Sequence, residues 1–232
     1  NGELWIGRTH TLGEKSTELG IETAPLSELG AALAGSAPGR TRVLRRLDPN
    51  VDRTVLAYEP DRSKPRDREL AWVISELKLV KDEWEIAQLQ AAIDATVRGF
   101  EDVARVLPAD RGVKERLLEG VFGLRARHDG NDVGYSSIVG AGAHATILHW
   151  VRNTGVTVPG ELLLMDMGVE GDNFYTADVT RTVPVSGTFT PLQRQVYDIV
   201  HASQQAGMDA VRPGVEFRDV HQVCMRVLAE GL

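Results

Sequence analysis

The sequence predicts an α+β fold preceded by part of an α/β domain, and three observations predict it. A long amphipathic helix and a second helix occupy residues 82–127, strand-like and turn-forming segments follow to about residue 185, and two more helices close the chain. Helices and strands are thus grouped rather than strictly alternating, which favours α+β over a doubly wound sheet. With 232 residues, 42% hydrophobic and 25% charged, there is apolar material for one large domain plus a fragment. That composition excludes disorder and collagen-like repetition.

Residues 1–60 alternate short apolar runs, Leu4-Trp5-Ile6 and Val55-Leu56-Ala57, with a helical stretch near Leu26 to Ala34, the pattern of an α/β fragment too short to stand alone. The stretch Asp61 to Arg68 is charged and broken by Pro65, so it reads as a linker. The division expected is therefore 1–68 and 69–232. Ile86, Leu89, Ile93, Val97, Phe100, Ala104 and Leu107 then recur at spacings of three and four, one apolar helix face. Asp82 followed by Glu85 predicts a capping box at its start, and Pro108 closes it. A second helix is expected over Val113 to Arg127, and strands from there to about Val185. Thr190-Pro191 opens a helix that runs to Val211, and a last one starts near Phe217.

Subtracting 33 Asp and Glu from 26 Lys and Arg gives a net charge of −7, with no basic footprint for DNA or RNA. No apolar run approaches the roughly 20 residues that cross a bilayer, and the first residues resemble no secretory signal, so neither nucleic acid nor membrane is expected as a partner and a cytoplasmic location is. The single cysteine, Cys224, lies in an apolar phrase and reads as a buried structural thiol. Position 1 is not Met, and the chain stops inside a helical pattern, as expected of a piece of a longer protein.

The informative stretch runs from Leu162 to Val183. Asp166 is a polar break in an apolar strand, Val169 to Asn173 are turn formers, and Val179-Thr180-Arg181-Thr182-Val183 is rich in β-branched residues, so a hairpin is predicted. Asp166 and Asp178 are equidistant from position 172. In a simple register centred there they would be direct cross-strand neighbours on one face. Two carboxylates so placed repel, unless they share a proton or a cation sits between them. A third reading puts one Asp in solvent and pairs the other with Arg181. Elsewhere, His149 ends an apolar run in a small-residue segment. A lone His is more often structural, and neither it nor His144 has the spacing of helix-borne metal ligands.

Ile138-Val139-Gly140 with Ile147-Leu148-His149, then Leu164-Met165-Asp166-Met167-Gly168, then Asp178-Val179-Thr180-Arg181-Thr182, resemble the pita-bread metallopeptidases, nearest to the bacterial Xaa-Pro aminopeptidases. The likeness runs from about Leu70 to the end, and residues 1–68 resemble the tail of the creatinase-type domain that precedes catalytic domains of this kind. It implies a truncated pita-bread catalytic domain and hydrolysis of the bond between an N-terminal residue and a following proline. It further implies Asp166 and Asp178 as ligands of two divalent ions, most often Mn²⁺, and a bridging hydroxide as nucleophile. His149 would be catalytic and touch the substrate, Tyr135 would lie in the substrate site, and the protein would be a homodimer or homotetramer. The family's remaining ligands, a His and two Glu, are expected beyond residue 232, so this piece alone should be inactive. Prolidase and a non-catalytic pita-bread binding module are the alternatives.

Overall fold

A computed structural model describes residues 3–35, 42–58 and 64–232. The chain forms two compact units, dividing between Lys81 and Asp82. In the first, the described residues form helices α1 (Glu3–Ile6), α2 (Leu12–Leu19), α3 (Leu29–Ala34), α4 (Pro49–Tyr58) and α5 (Lys64–Leu79) and no strand. The apolar runs at 4–6 and 55–57, read from sequence as strand-like, lie in α1 and α4. Three apolar residues in a row carry no period, whereas Val51 and Val55 stand four apart, and Val55 is buried, as on one face of a helix. The expected linker is also corrected. Asp61 to Ser63 lie outside the described residues, but Lys64 to Arg68 open α5, where Pro65 sits in the first turn and removes no intrahelical hydrogen bond. Asp67 accepts from Arg45 Nε at 2.5 Å and from the Val43 amide at 3.1 Å. The expected boundary at 68 therefore falls inside a helix.

The second unit begins with α6 (Glu83–Val106), capped by the Asp82–Glu85 box as predicted, and α7 (Glu115–Asp129). Strands β1 (Asp132–Val133) and β2 (Ile138–Ala141), a 3₁₀ turn (Gly142–Thr146) and an irregular loop follow. Then come β3 (Leu162–Met167), β4 (Val169–Glu170), β5 (Val179–Pro184), α8 (Pro191–Ala210) and α9 (Phe217–Gly231). Strands β2, β3 and β5 form one antiparallel sheet in that order, and β1 pairs with β4. Thr190 caps α8 with Pro191 in its first turn, as expected. The segment after Ala141 departs from the expected run of strands up to β3: its small residues Gly142 and Ala143 permit a tight helical turn.

Leu163, Met165 and Met167 alternate onto the buried face of β3, against Ala95 and Val103 of α6 and Leu118, Phe122 and Ala126 of α7. The buried side of α6 is not its most apolar side. Ala92, Ala95, Thr96, Gly99 and Val103 face the core, while Ile86, Ile93 and Val97 are exposed. Close packing selects the small residues: a Cβ at Gly99 would come within 2.6 Å of the Phe122 ring. Cys224 is only half-buried, against Gly207 where α9 meets α8, less enclosed than expected.

Candidate active site

The other face of β3 carries Leu162, Leu164 and Asp166, all half-buried. Opposite Asp166 stands Ile138 of β2 on one side and Thr180 of β5 on the other. This corrects the predicted register, in which Asp178 faced Asp166. The turn closes with the Gly171 amide bonded to the Tyr175 carbonyl and holds three residues, Asp172 to Phe174, with Phe174 at φ 64°. The hairpin is therefore centred on Asn173 rather than Asp172. A change of one in the centre moves the facing partner by two residues, which preserves the face. Asp166 and Asp178 thus remain on one side of the sheet, as diagonal rather than direct neighbours.

Tyr135, in the segment between β1 and β2, joins them. Its hydroxyl lies 2.6 Å from Asp166 Oδ1 and 3.0 Å from Asp178 Oδ1, while Asp166 Oδ2 accepts from the Thr180 hydroxyl at 2.8 Å. One O–H cannot serve two carboxylates fully. Burial raises the Tyr135 pKa above its ordinary 10, and the hydrogen bonds and negative charge of Asp166 and Asp178 raise it further, so the phenol stays protonated. Gly168 clears the space. A Cβ there would overlap the Ala177 carbonyl and touch the Tyr135 ring at 3.2 Å.

Among the described residues no ion pair reaches either aspartate; Arg181, the partner considered from sequence, donates to the Thr180 carbonyl at 2.7 Å. Two carboxylates held together by neutral hydroxyls suit a cation in charge and in hardness of the donor atoms. They do not complete a metal shell. No group of three or more His, Cys, Asp or Glu that could hold a metal occurs among the described residues.

His149 is exposed, on the irregular loop after the 3₁₀ turn, and among the described residues its side chain makes no hydrogen bond to Tyr135, Asp166 or Asp178. The structure brings three of the four predicted site residues together, and among the described residues no hydrogen bond links the fourth, His149, to them. What holds that loop was missed from sequence. Glu115, at the first position of α7, is wholly buried and accepts from the Ala141 amide (2.9 Å), the Gly155 amide (2.7 Å), Trp150 Nε1 (2.9 Å) and His144 Nδ1 (2.9 Å). Burial acts to raise its pKa, but these donors outweigh burial and hold the carboxyl below its ordinary 4.5. Asn153, buried at φ 47°, accepts from the Val139 amide and donates to the Ser137 carbonyl, each at 2.9 Å. No spacing in the sequence marks Glu115, since an acid in a first helical turn is ordinary.

An α+β sheet backed by two helices, with an aspartate pair on a central hairpin, defines a protein of the pita-bread metallopeptidase class. The model of Metallopeptidase family M24 matches residues 87–232, and the chain belongs to that family. It is 51% identical to Xaa-Pro aminopeptidase 1 of Streptomyces coelicolor over 231 residues, covering 100% of this chain and 46% of that protein. A zinc-substituted Escherichia coli aminopeptidase P in complex with product superposes with TM-score 0.86 at 28% identity, over 100% of this chain and 55% of that one. Proline aminopeptidase P II from Yersinia pestis does so with TM-score 0.85 at 28% identity, again over 100% and 55%. The chain spans about half the length of the relatives it matches.

Proposed function

We propose that the full-length protein is a metal-dependent aminopeptidase that releases an N-terminal residue standing before proline. One observation carries this reading: Asp166 and Asp178 converge on a single phenol with no positive partner among the described residues, in a chain that is 51% identical to a named Xaa-Pro aminopeptidase. The proposal includes two divalent ions, Mn²⁺ among them, a homodimer or homotetramer, and a cytoplasmic protein. No helix among the described residues is long and apolar enough to cross a membrane.

Asp166 and Asp178 would hold the ions, which supply Lewis acidity and a water of lowered pKa. Tyr135, kept protonated, and Thr180 orient the carboxylate oxygens by donating to them. His149 would donate a hydrogen bond to the peptide carbonyl oxygen as negative charge develops on it. With two of the five protein ligands that the family resemblance implies, this chain alone should bind metal weakly and be inactive.

The test is turnover of a proline-containing tripeptide and of an Xaa-Pro dipeptide by the full-length protein, with metal content by mass spectrometry. Asp178→Asn is expected to remove bound metal and lower turnover on the order of 10³-fold, the several kcal/mol that a Lewis acid supplies. Unchanged turnover and metal would sink the assignment. Cleavage of the dipeptide alone would turn the reading to prolidase, and absence of any cleavage to a binding module.

A further inference from the structure

We propose that Glu115 is a positioning residue for His149, holding the loop that carries it at a fixed place against the sheet. The inference rests on the peptidase reading for what His149 does, but not for how it is held. Between Ala141 and Gly155 the chain leaves β2, turns, and returns, and one carboxylate takes hydrogen bonds from both ends of this excursion and from its middle. Oε1 accepts from the Ala141 amide and His144 Nδ1, and Oε2 from the Gly155 amide and Trp150 Nε1. The Trp150 indole stacks on His144 with centroids 3.9 Å apart. His149 is the residue next to that anchor.

The backbone ties one end of this loop, the Glu115 amide donating to the Gly155 carbonyl at 3.1 Å. Among the described residues no strand pairs with the outward amides of β2; Asn153 serves Val139 and Glu115 serves Ala141 in its place. The fit is also closed sterically. A Cβ at Gly155 would lie 2.5 Å from Glu115 Oε1 and 2.6 Å from His144 Nδ1. A buried, fully engaged carboxylate thus sets the path of an otherwise irregular segment whose exposed histidine makes no side-chain bond of its own among the described residues.

Glu115→Gln keeps the volume and replaces one oxygen by an amide that cannot accept, so one of the two donor pairs loses its partner. In this chain, NMR follows solvent exchange of the Trp150 indole proton and the His149 ring resonances. Exchange at Trp150 is expected to quicken about 10-fold or more and the His149 resonances to shift, while amides of α8 and α9 keep their rates. Gly155→Ala, which crowds the same carboxylate without changing charge, should reproduce the pattern. Unchanged His149 resonances in folded variants, or equal quickening in α8 and α9, would overturn the proposal.

In the full-length protein, Glu115→Gln should lower kcat on the order of 10²-fold, the cost of a misplaced group, with KM little changed. Added to His149→Ala, it should cost nothing further, because the positioned group is gone. Losses that simply multiply would also overturn the proposal. If the unsubstituted protein cleaves no Xaa-Pro peptide, the functional reading falls, and the exchange and ring measurements still decide how His149 is held.

Discussion

Glu115, at the start of α7, and the Asp166–Asp178 pair meet the same three-stranded sheet, yet they are completed in opposite ways. Glu115 lies at the outer edge of β2, wholly buried, with four N–H donors on two oxygens. The aspartates, on β3 and just before β5, are half-buried and exposed, and among the described residues receive only hydroxyl donors, one of them shared. An acid that serves structure is saturated by the fold itself. A pair left short of positive charge is available to something the fold does not contain, and this difference separates scaffold from site more clearly than burial does.

The largest effect should come from breaking the saturated side. Glu115→Ala strands four donors and should destabilise the second unit by about 3–5 kcal/mol, read as a fall in the urea midpoint. A loss under about 1 kcal/mol would show that water replaces the carboxylate, and the contrast with the aspartates would fail. Acid provides the next test. Because the Glu115 carboxyl is held below its ordinary 4.5, its contribution is complete above that pH and is lost as pH falls through its lower folded value. Other depressed acids lose stability in the same direction, Asp129 among them, its pKa lowered to about 2 by His128 first, against the cost of burial, and then by Arg98 and Arg125. The Glu115 share is therefore the difference between the chain and Glu115→Gln, whose urea midpoints should converge as pH drops from 5 towards 3. Parallel curves would assign the depressed pKa elsewhere.

The contrast also explains what could be read without coordinates. The capping box at Asp82 and Glu85, the Thr190-Pro191 start and the hairpin were legible because each depends on residues a few positions apart. The aspartate pair was legible to within its face, since a shift of two preserves sidedness, but not to its register, which depends on where in Gly171 to Tyr175 the chain reverses. Apolar spacing marked α6 and misplaced its buried side, because pattern ranks residues by hydropathy whereas Phe122 needs the room at Gly99. The Glu115 cluster draws donors from 26 to 40 residues away. Nothing local announces it.

The smallest effect, and the sharpest on the open side, is expected from Asp178→Asn in this chain alone. The asparagine oxygen can still accept from Tyr135, so the 3.0 Å contact survives, while the repulsion that Asp178 exerts on Asp166 is removed. Asp178 is exposed, which screens that repulsion, so stability should stay the same or rise by about 0.5 kcal/mol or less. A structural acid gives the opposite sign, as Glu115→Ala should. If Asp178→Asn instead cost about 1 kcal/mol or more in urea unfolding, the pair would be part of the scaffold, and its lack of a positive partner would no longer point to a bound cation.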